Sequence, residues 1–184
     1  DFRTRSGQME DFGSKFSKLP RCTISYILGA QDPLSVDVEN YTAPIRFFED
    51  DRSALYVVGH PIVGEVISAE PVWAAVVAEG LTVEFLAKLN GEFLLIHFDK
   101  SSGMLSVSTD RFSSIPFYYL IEVSGMFGSV FYKDVWARLK RRGELELNSA
   151  KFFEFLWLQG VVGSKSYDTR SSLLTAATTL RFRP

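Results

Sequence analysis

The chain has 184 residues, 20 basic and 22 acidic side chains for a net charge of −2, and a single cysteine. That length suits one domain, or two small ones, with a sizeable core, and 46% apolar with 23% charged residues excludes an intrinsically disordered chain. Near-neutral charge argues against a dedicated nucleic-acid binder, and one cysteine can form neither an internal disulfide nor a cysteine-based zinc site.

Residues 1–20 mix charges with Gly7, Gly13 and several serines and end at Pro20, which reads as a weakly ordered lead-in without the apolar centre of a secretory signal. The longest apolar runs, at 72–78 and 93–98, fall far short of the roughly 18 to 20 residues that span a bilayer. The expectation is a soluble, cytoplasmic protein with no membrane partner.

Residues 22–28 (CTISYIL) are β-branched and aromatic between Pro20 and Gly29, and predict a strand. Residues 31–41 carry Asp32, Pro33, Asp37 and Asn40 and predict a loop. Strands are expected at 43–49 and 54–58, joined by the turn Asp50-Asp51-Arg52. At 61–68 the sequence leaves strand and irregular structure open, because Pro61 and Gly64 both weaken a ladder. Residues 71–79 predict a helix, with Pro71 at its first helical position and Gly80 just past its end. A second short helix fits 82–89, capped by Thr82, with Glu84 near its positive end.

Strands follow at 93–98, 104–109 and 117–121, with KSSG at 100–103 as a hairpin turn, and Phe117, Tyr118 and Tyr119 filling the space between sheets. A short strand at 127–130 leads into a helix at 133–141. Asn148 then caps a helix at 149–158 whose Phe152, Phe155 and Leu156 share one face. Residues 173–183 return to strand-like composition. Hairpins and paired helices in this order imply an α+β fold with antiparallel sheets. Neither G-x-G-x-x-G after a strand nor G-x-x-x-x-G-K-[ST] occurs, so a dinucleotide or P-loop enzyme is not expected.

Four separated segments resemble the N-terminal glutaminase domain of the asparagine synthetase family, the class II glutamine amidotransferases. LNGEF at 89–93, with Asn90, Gly91 and the later Asp99, is similar to L-x-G-x-F-A-x-x-x-x-D. TDRFSSIPFYY at 109–119, with Asp110, Arg111 and Pro116, is similar to R-D-x-x-G-x-x-P-L-Y-Y. Phe127-Gly128-Ser129 is similar to F-A-S-E, and NSAKFFEFL at 148–156 with Gly160 to the closing helix and turn. LTAATTLRF at 174–182 sits where the family has a segment like L-P-P-G-x-x-L.

The resemblance implies an N-terminal nucleophile hydrolase-like fold, a four-layer αββα sandwich of two antiparallel sheets with helices outside, over residues 21–184. In active members a cysteine at the mature N-terminus attacks the glutamine amide, and ammonia passes to an ATP-dependent synthetase domain, C-terminal or separate. The implied partners are that domain and a second copy in a homodimer; this half needs no cofactor and no metal. The S-G-G-x-D-S pyrophosphate loop of the synthetase half does not occur in the sequence.

The chemistry requires the free α-amine of a terminal cysteine, with a pKa of about 7.7 to 8.0, to take the proton from its own thiol. Residue 1 is Asp1, and the candidate nucleophile is Cys22, which heads CTISYIL as the family's cysteine heads C-G-I-x-G; cleavage after Arg21 would expose it. Thr23 stands in place of the following glycine. Arg46 is the arginine nearest the place of the family's R-L-S-I segment, 58–65 (VGHPIVGE) occupies that of the N-G-E-I-Y oxyanion loop without its Asn-Gly, and Ala69 stands where an Asp opens the helix. Losing an oxyanion donor costs about 10²- to 10³-fold in turnover. Asp110 and Arg111 read as a turn pinned by an ion pair or a backbone-bonded carboxylate. His60 and His97 show no third ligand or orienting group for a metal or base role.

Three readings follow. One is a degenerate glutaminase-like half that docks a synthetase; another is an active glutaminase after leader removal, with Cys22 as nucleophile; the third is a non-enzymatic interaction module.

Overall fold

The computed structural model describes residues 21–39 and 44–183. The lead-in at 1–20, together with Asn40, Tyr41 and Ala43, lies outside the described residues.

Strand β1 (Arg21–Ile27) pairs antiparallel with β2 (Leu34–Glu39). The 31–41 segment is therefore not all loop. Leu34, Val36 and Val38 alternate opposite Tyr26, Ile24 and Cys22, and pairing with β1 outweighs the turn-forming residues between and around them. Next come β3 (Ile45–Glu49) and the long β4 (Ser53–Val63), separated by a turn in which the Asp50 carboxylate accepts the Arg52 and Ser53 amides at 2.8 and 2.6 Å. A tight reversal then gives β5 (Val66–Ile67), so strand pairing prevails through Pro61.

Helix α1 (Glu70–Glu79) begins with Pro71 in its first turn. Helix α2 (Val83–Lys88) is capped by Thr82, whose hydroxyl accepts the Phe85 amide at 3.1 Å. Then follow β6 (Leu89–Asp99), β7 (Met104–Thr109), β8 (Tyr118–Glu122), β9 (Gly125–Ser129) and α3 (Tyr132–Arg142). Helix α4 (Ser149–Leu158) starts at the Asn148 cap and is followed by β10 (Ser172–Leu173) and β11 (Thr179–Phe182).

The strands form two antiparallel sheets, ordered β10-β8-β9-β1-β2 and β11-β7-β6-β4-β3, with β5 on β4. Period-two alternation sorts their side chains. On β4 and β6, Ala54, Val58, Leu94, Ile96 and Phe98 join Cys22, Ile24 and Tyr26 of the first sheet in one shared core, where Tyr26 meets Phe98 edge-on at 5.9 Å. Leu55, Val57, Phe93 and Leu95 face the other way, under Val72, Val76 and Phe85 of α1 and α2. Leu120 and Phe127 leave the first sheet on its outer side to pack against Val135 and Leu139 of α3.

Phe117 lies in the shared core with Tyr119 beside it, whereas Tyr118 turns to the α3 side. The three aromatics thus divide between two layers, as alternation on a strand demands. Helix α3 is fastened to β8 by Glu122, which accepts Nε and Nη2 of Arg138 at 2.7 and 2.8 Å, while the same guanidinium lies over the Phe127 ring. The apolar face expected on helix α4 is not covered. The helix has no buried residue, and of its apolar positions Phe152, Phe153, Leu156, Trp157 and Leu158 are all exposed.

Candidate functional site

Strand β3 leaves β4 at Gly59, whose amide donates to Pro44 at 2.9 Å, and β5 joins the same edge at Ile62. Between them Pro61, in phase with Gly59, faces the gap without an N–H to leave unpaired. The gap opens into a cleft of about 390 Å³ lined by Pro44, Arg46, His60, Ile67, Ser68 and Glu70. Its walls carry opposite charges. The Glu70 carboxyl is held below its ordinary value by a hydrogen bond from the Ser68 hydroxyl, then by its own backbone amide, with the attraction of Arg46 adding to both.

Arg46 and Glu70 are therefore brought together, in a place suited to an ammonium and a carboxylate on one small molecule. Glu70 is not among the residues expected from the sequence, because the family pattern puts its acidic residue one position earlier, where this chain has Ala69. The available signal was Pro71, which fixes the helix start and sets Glu70 in its first turn.

Cys22 is not part of this cleft's lining. It is 1% exposed, in the shared core, and its carbonyl accepts the Val130 amide at 3.1 Å. Burial, and secondarily the Asp37 charge, push the thiol up to about 12. Its nitrogen is a peptide amide following Arg21, so as the chain stands it offers no amine to take the thiol proton.

His97 supplies no base to it. Opposite Leu55 on β4, it points to the helix-covered face of the second sheet, away from Cys22, with Nε2 3.3 Å from Ser53 Oγ. Burial lowers its pKa against the opposing pull of Asp99 and Asp50. His60 lines the cleft and is exposed. Among the described residues no cluster of three or more His, Cys, Asp or Glu could hold a metal.

The remaining singled-out residues build structure. Asn90 and Gly91 lie within β6, opposite Ile62 and Pro61, and a Cβ on Gly91 would stand 2.2 Å from the His60 carbonyl oxygen. Asp110 is 1% exposed and accepts backbone amides from Phe93, Phe112 and Ser114. Of the two ways to pin the turn, the backbone-bonded carboxylate is the one present; Arg111 instead donates to the Ala87 carbonyl at 2.9 Å. Pro116 is exposed and leads into Phe117.

No known protein family and no curated protein sequence matches the chain. Among the described residues no helix is long and apolar enough to cross a membrane.

Proposed function

We propose that this chain is a glutaminase-like domain of an asparagine-synthetase-type amide-forming enzyme that does not hydrolyse glutamine and serves as the docking half for an ATP-dependent synthetase domain in the cytoplasm. The observation that carries the loss of hydrolysis is the state of Cys22: a buried thiol, raised to about 12, behind a peptide nitrogen. A nucleophile in that setting has neither thiolate nor base.

The layering supports the N-terminal nucleophile hydrolase-like part of this reading, with helices outside two facing antiparallel sheets. Two departures from the family pattern also have one physical cause. Where the family motifs carry Leu and Ala, this chain has Phe117 and Gly128, and the Phe117 ring occupies the space a Cβ at 128 would need. Ser113, at the motif's glycine, keeps the left-handed backbone such a glycine serves, at φ 53°. Docking rests on α4, where Trp157 is 85% exposed and Phe153 and Leu156, at helical spacing on the same face, are exposed with it.

The second reading, an active glutaminase after leader removal, is favoured by the cleft in which Arg46 and Glu70 face one another. One experiment separates the two. Glutamate release from glutamine is measured for the full chain and for a chain beginning at Cys22. No turnover by either supports the docking half; turnover by the shortened chain, abolished by Cys22→Ala, overturns it.

A further inference from the structure

The apolar layer under α1 and α2 draws on β4 and β6 and includes no residue of β7 or β11. Between α2 and β11 lies a trough of about 700 Å³, within the roughly 300 to 1,000 Å³ typical of small-molecule sites. It shares no lining residue with the Arg46 cleft, although its Phe93 on β6 pairs with Gly59 of that cleft on β4.

Its two sides differ in chemistry. The α2 side presents Val83 and Leu86, with Phe93 between the sides, and Val83 is 65% exposed, an apolar wall open to whatever enters. On the other side β11 presents Thr179 and Arg181, in phase on the strand and opposite Ser108 and Ser106. The Thr179 hydroxyl lies 2.9 Å from that of Ser108, which settles this part of the wall. The Arg181 guanidinium makes no hydrogen bond or ion pair with any described residue, although its backbone lies in the β11–β7 ladder. Arg111 closes one end, its guanidinium held by the single bond to the Ala87 carbonyl, leaving further donors to spare. No carboxylate is among the described lining residues.

Two guanidinium groups with no carboxylate among the described lining residues, set beside an apolar wall, are complementary to one anionic group on an apolar body. The planar fork of arginine matches a carboxylate. We propose that this trough binds a small organic carboxylate with an apolar body, the carboxylate paired with Arg181 in the positive field of Arg111 and the body laid against Val83, Leu86 and Phe93. This site stands independently of the glutaminase-like reading.

The test is calorimetric titration of the full chain with 6-phenylhexanoate and its neutral counterpart 6-phenylhexanamide. Saturable binding of the acid is expected, with the amide weaker by about tenfold or more, since it cannot form the charge-assisted pair. Arg181→Gln should weaken the acid by about fivefold or more and bring acid and amide together. Val83→Trp should abolish binding of both by filling the trough. Both positions are exposed, so unchanged thermal melting of the free variants is expected and separates lost binding from lost folding. Absence of saturable binding, equal affinity for acid and amide, or unchanged affinity in Arg181→Gln overturns the proposal.

Discussion

The carboxylate of Asp110 accepts the backbone amide of Phe93 at 3.2 Å, tying the end of β7 to the β6 strand 17 residues earlier. The same carboxylate takes the Phe112 amide at 2.7 Å and the Ser114 amide at 3.1 Å, while the Asp110 carbonyl accepts Ala177 at 2.8 Å. One buried side chain therefore organises the turn into Phe117 and its contact with the C-terminal segment. Asp110→Ala strands several amides at once and should destabilise the fold by about 3 kcal/mol, with Asp110→Asn recovering part of the loss. Urea unfolding measures this; a loss under about 1 kcal/mol would show the turn holding itself without the carboxylate.

Cys22 sits at the other extreme, a polar group protected by burial alone. With the thiol raised to about 12, its thiolate fraction at pH 8 is about 10⁻⁴, so iodoacetamide should label the native protein about a thousandfold more slowly than the urea-unfolded chain. The raised pKa also fixes a sign. Its stabilisation is complete below the unfolded value of about 8.5 and is lost as pH climbs towards the folded value, because the unfolded chain releases the proton first. The stability advantage of wild type over Cys22→Ala should narrow above about pH 9. Rapid native labelling at pH 8 would contradict the buried placement.

Much of this fold is legible in the sequence for local reasons. Thr82 and Asn148 cap their helices, Pro71 and Gly80 bracket α1, and the alternation through 93–98 puts Phe93 and Leu95 on one side and Leu94 and Ile96 on the other. What is hidden depends on distant pairing. Asp32, Pro33, Asp37 and Asn40 disguise β2, which exists because β1 offers it a register. The Arg46 cleft exists because β3 and β5 meet β4 at separate places, a fact of register that no local pattern encodes. The apolar residues of α4 have the composition of core, and only the packing shows that they face outward.

That outward face gives a further expectation. Since Leu156 and Trp157 are exposed, Leu156→Glu with Trp157→Glu should leave the melting temperature nearly unchanged while suppressing concentration-dependent association in light scattering. Loss of cooperative unfolding in this variant would instead mean that α4 packs into the domain core.

Acid should act through Asp99. The Ser101 and Ser102 hydroxyls each donate to its carboxylate at 2.6 Å, and these bonds hold the group down at about 2. A depressed pKa contributes stability that is present above the unfolded value of about 3.9 and is lost as pH falls through the folded one. The melting-temperature difference between wild type and Asp99→Asn should therefore shrink between about pH 4 and pH 2. A difference independent of pH across that window would assign the effect to lost hydrogen bonds and not to charge.

The contact between Phe117 and Gly128 makes the sharpest demand on packing. Phe117 is fully buried in the core between the sheets, and a Cβ on residue 128 would stand 2.1 Å from its Cζ and 2.8 Å from Cε2. The ring is enclosed and cannot swing clear, so Gly128→Ala should cost about 2 to 3 kcal/mol by overpacking. Phe117→Leu should cost about 1 to 2 kcal/mol, because it vacates ring volume that neighbours only partly refill. Together the two changes exchange a large residue and a small one for two of intermediate size, and the Ala methyl enters the space the ring has left. The double variant should be more stable than the sum of the single losses predicts, with a coupling of about 1 kcal/mol or more in urea unfolding. Simple additivity would mean that the backbone of β9 moves away from residue 117 to absorb the methyl group, and that the Phe and Gly at these positions are independent of one another.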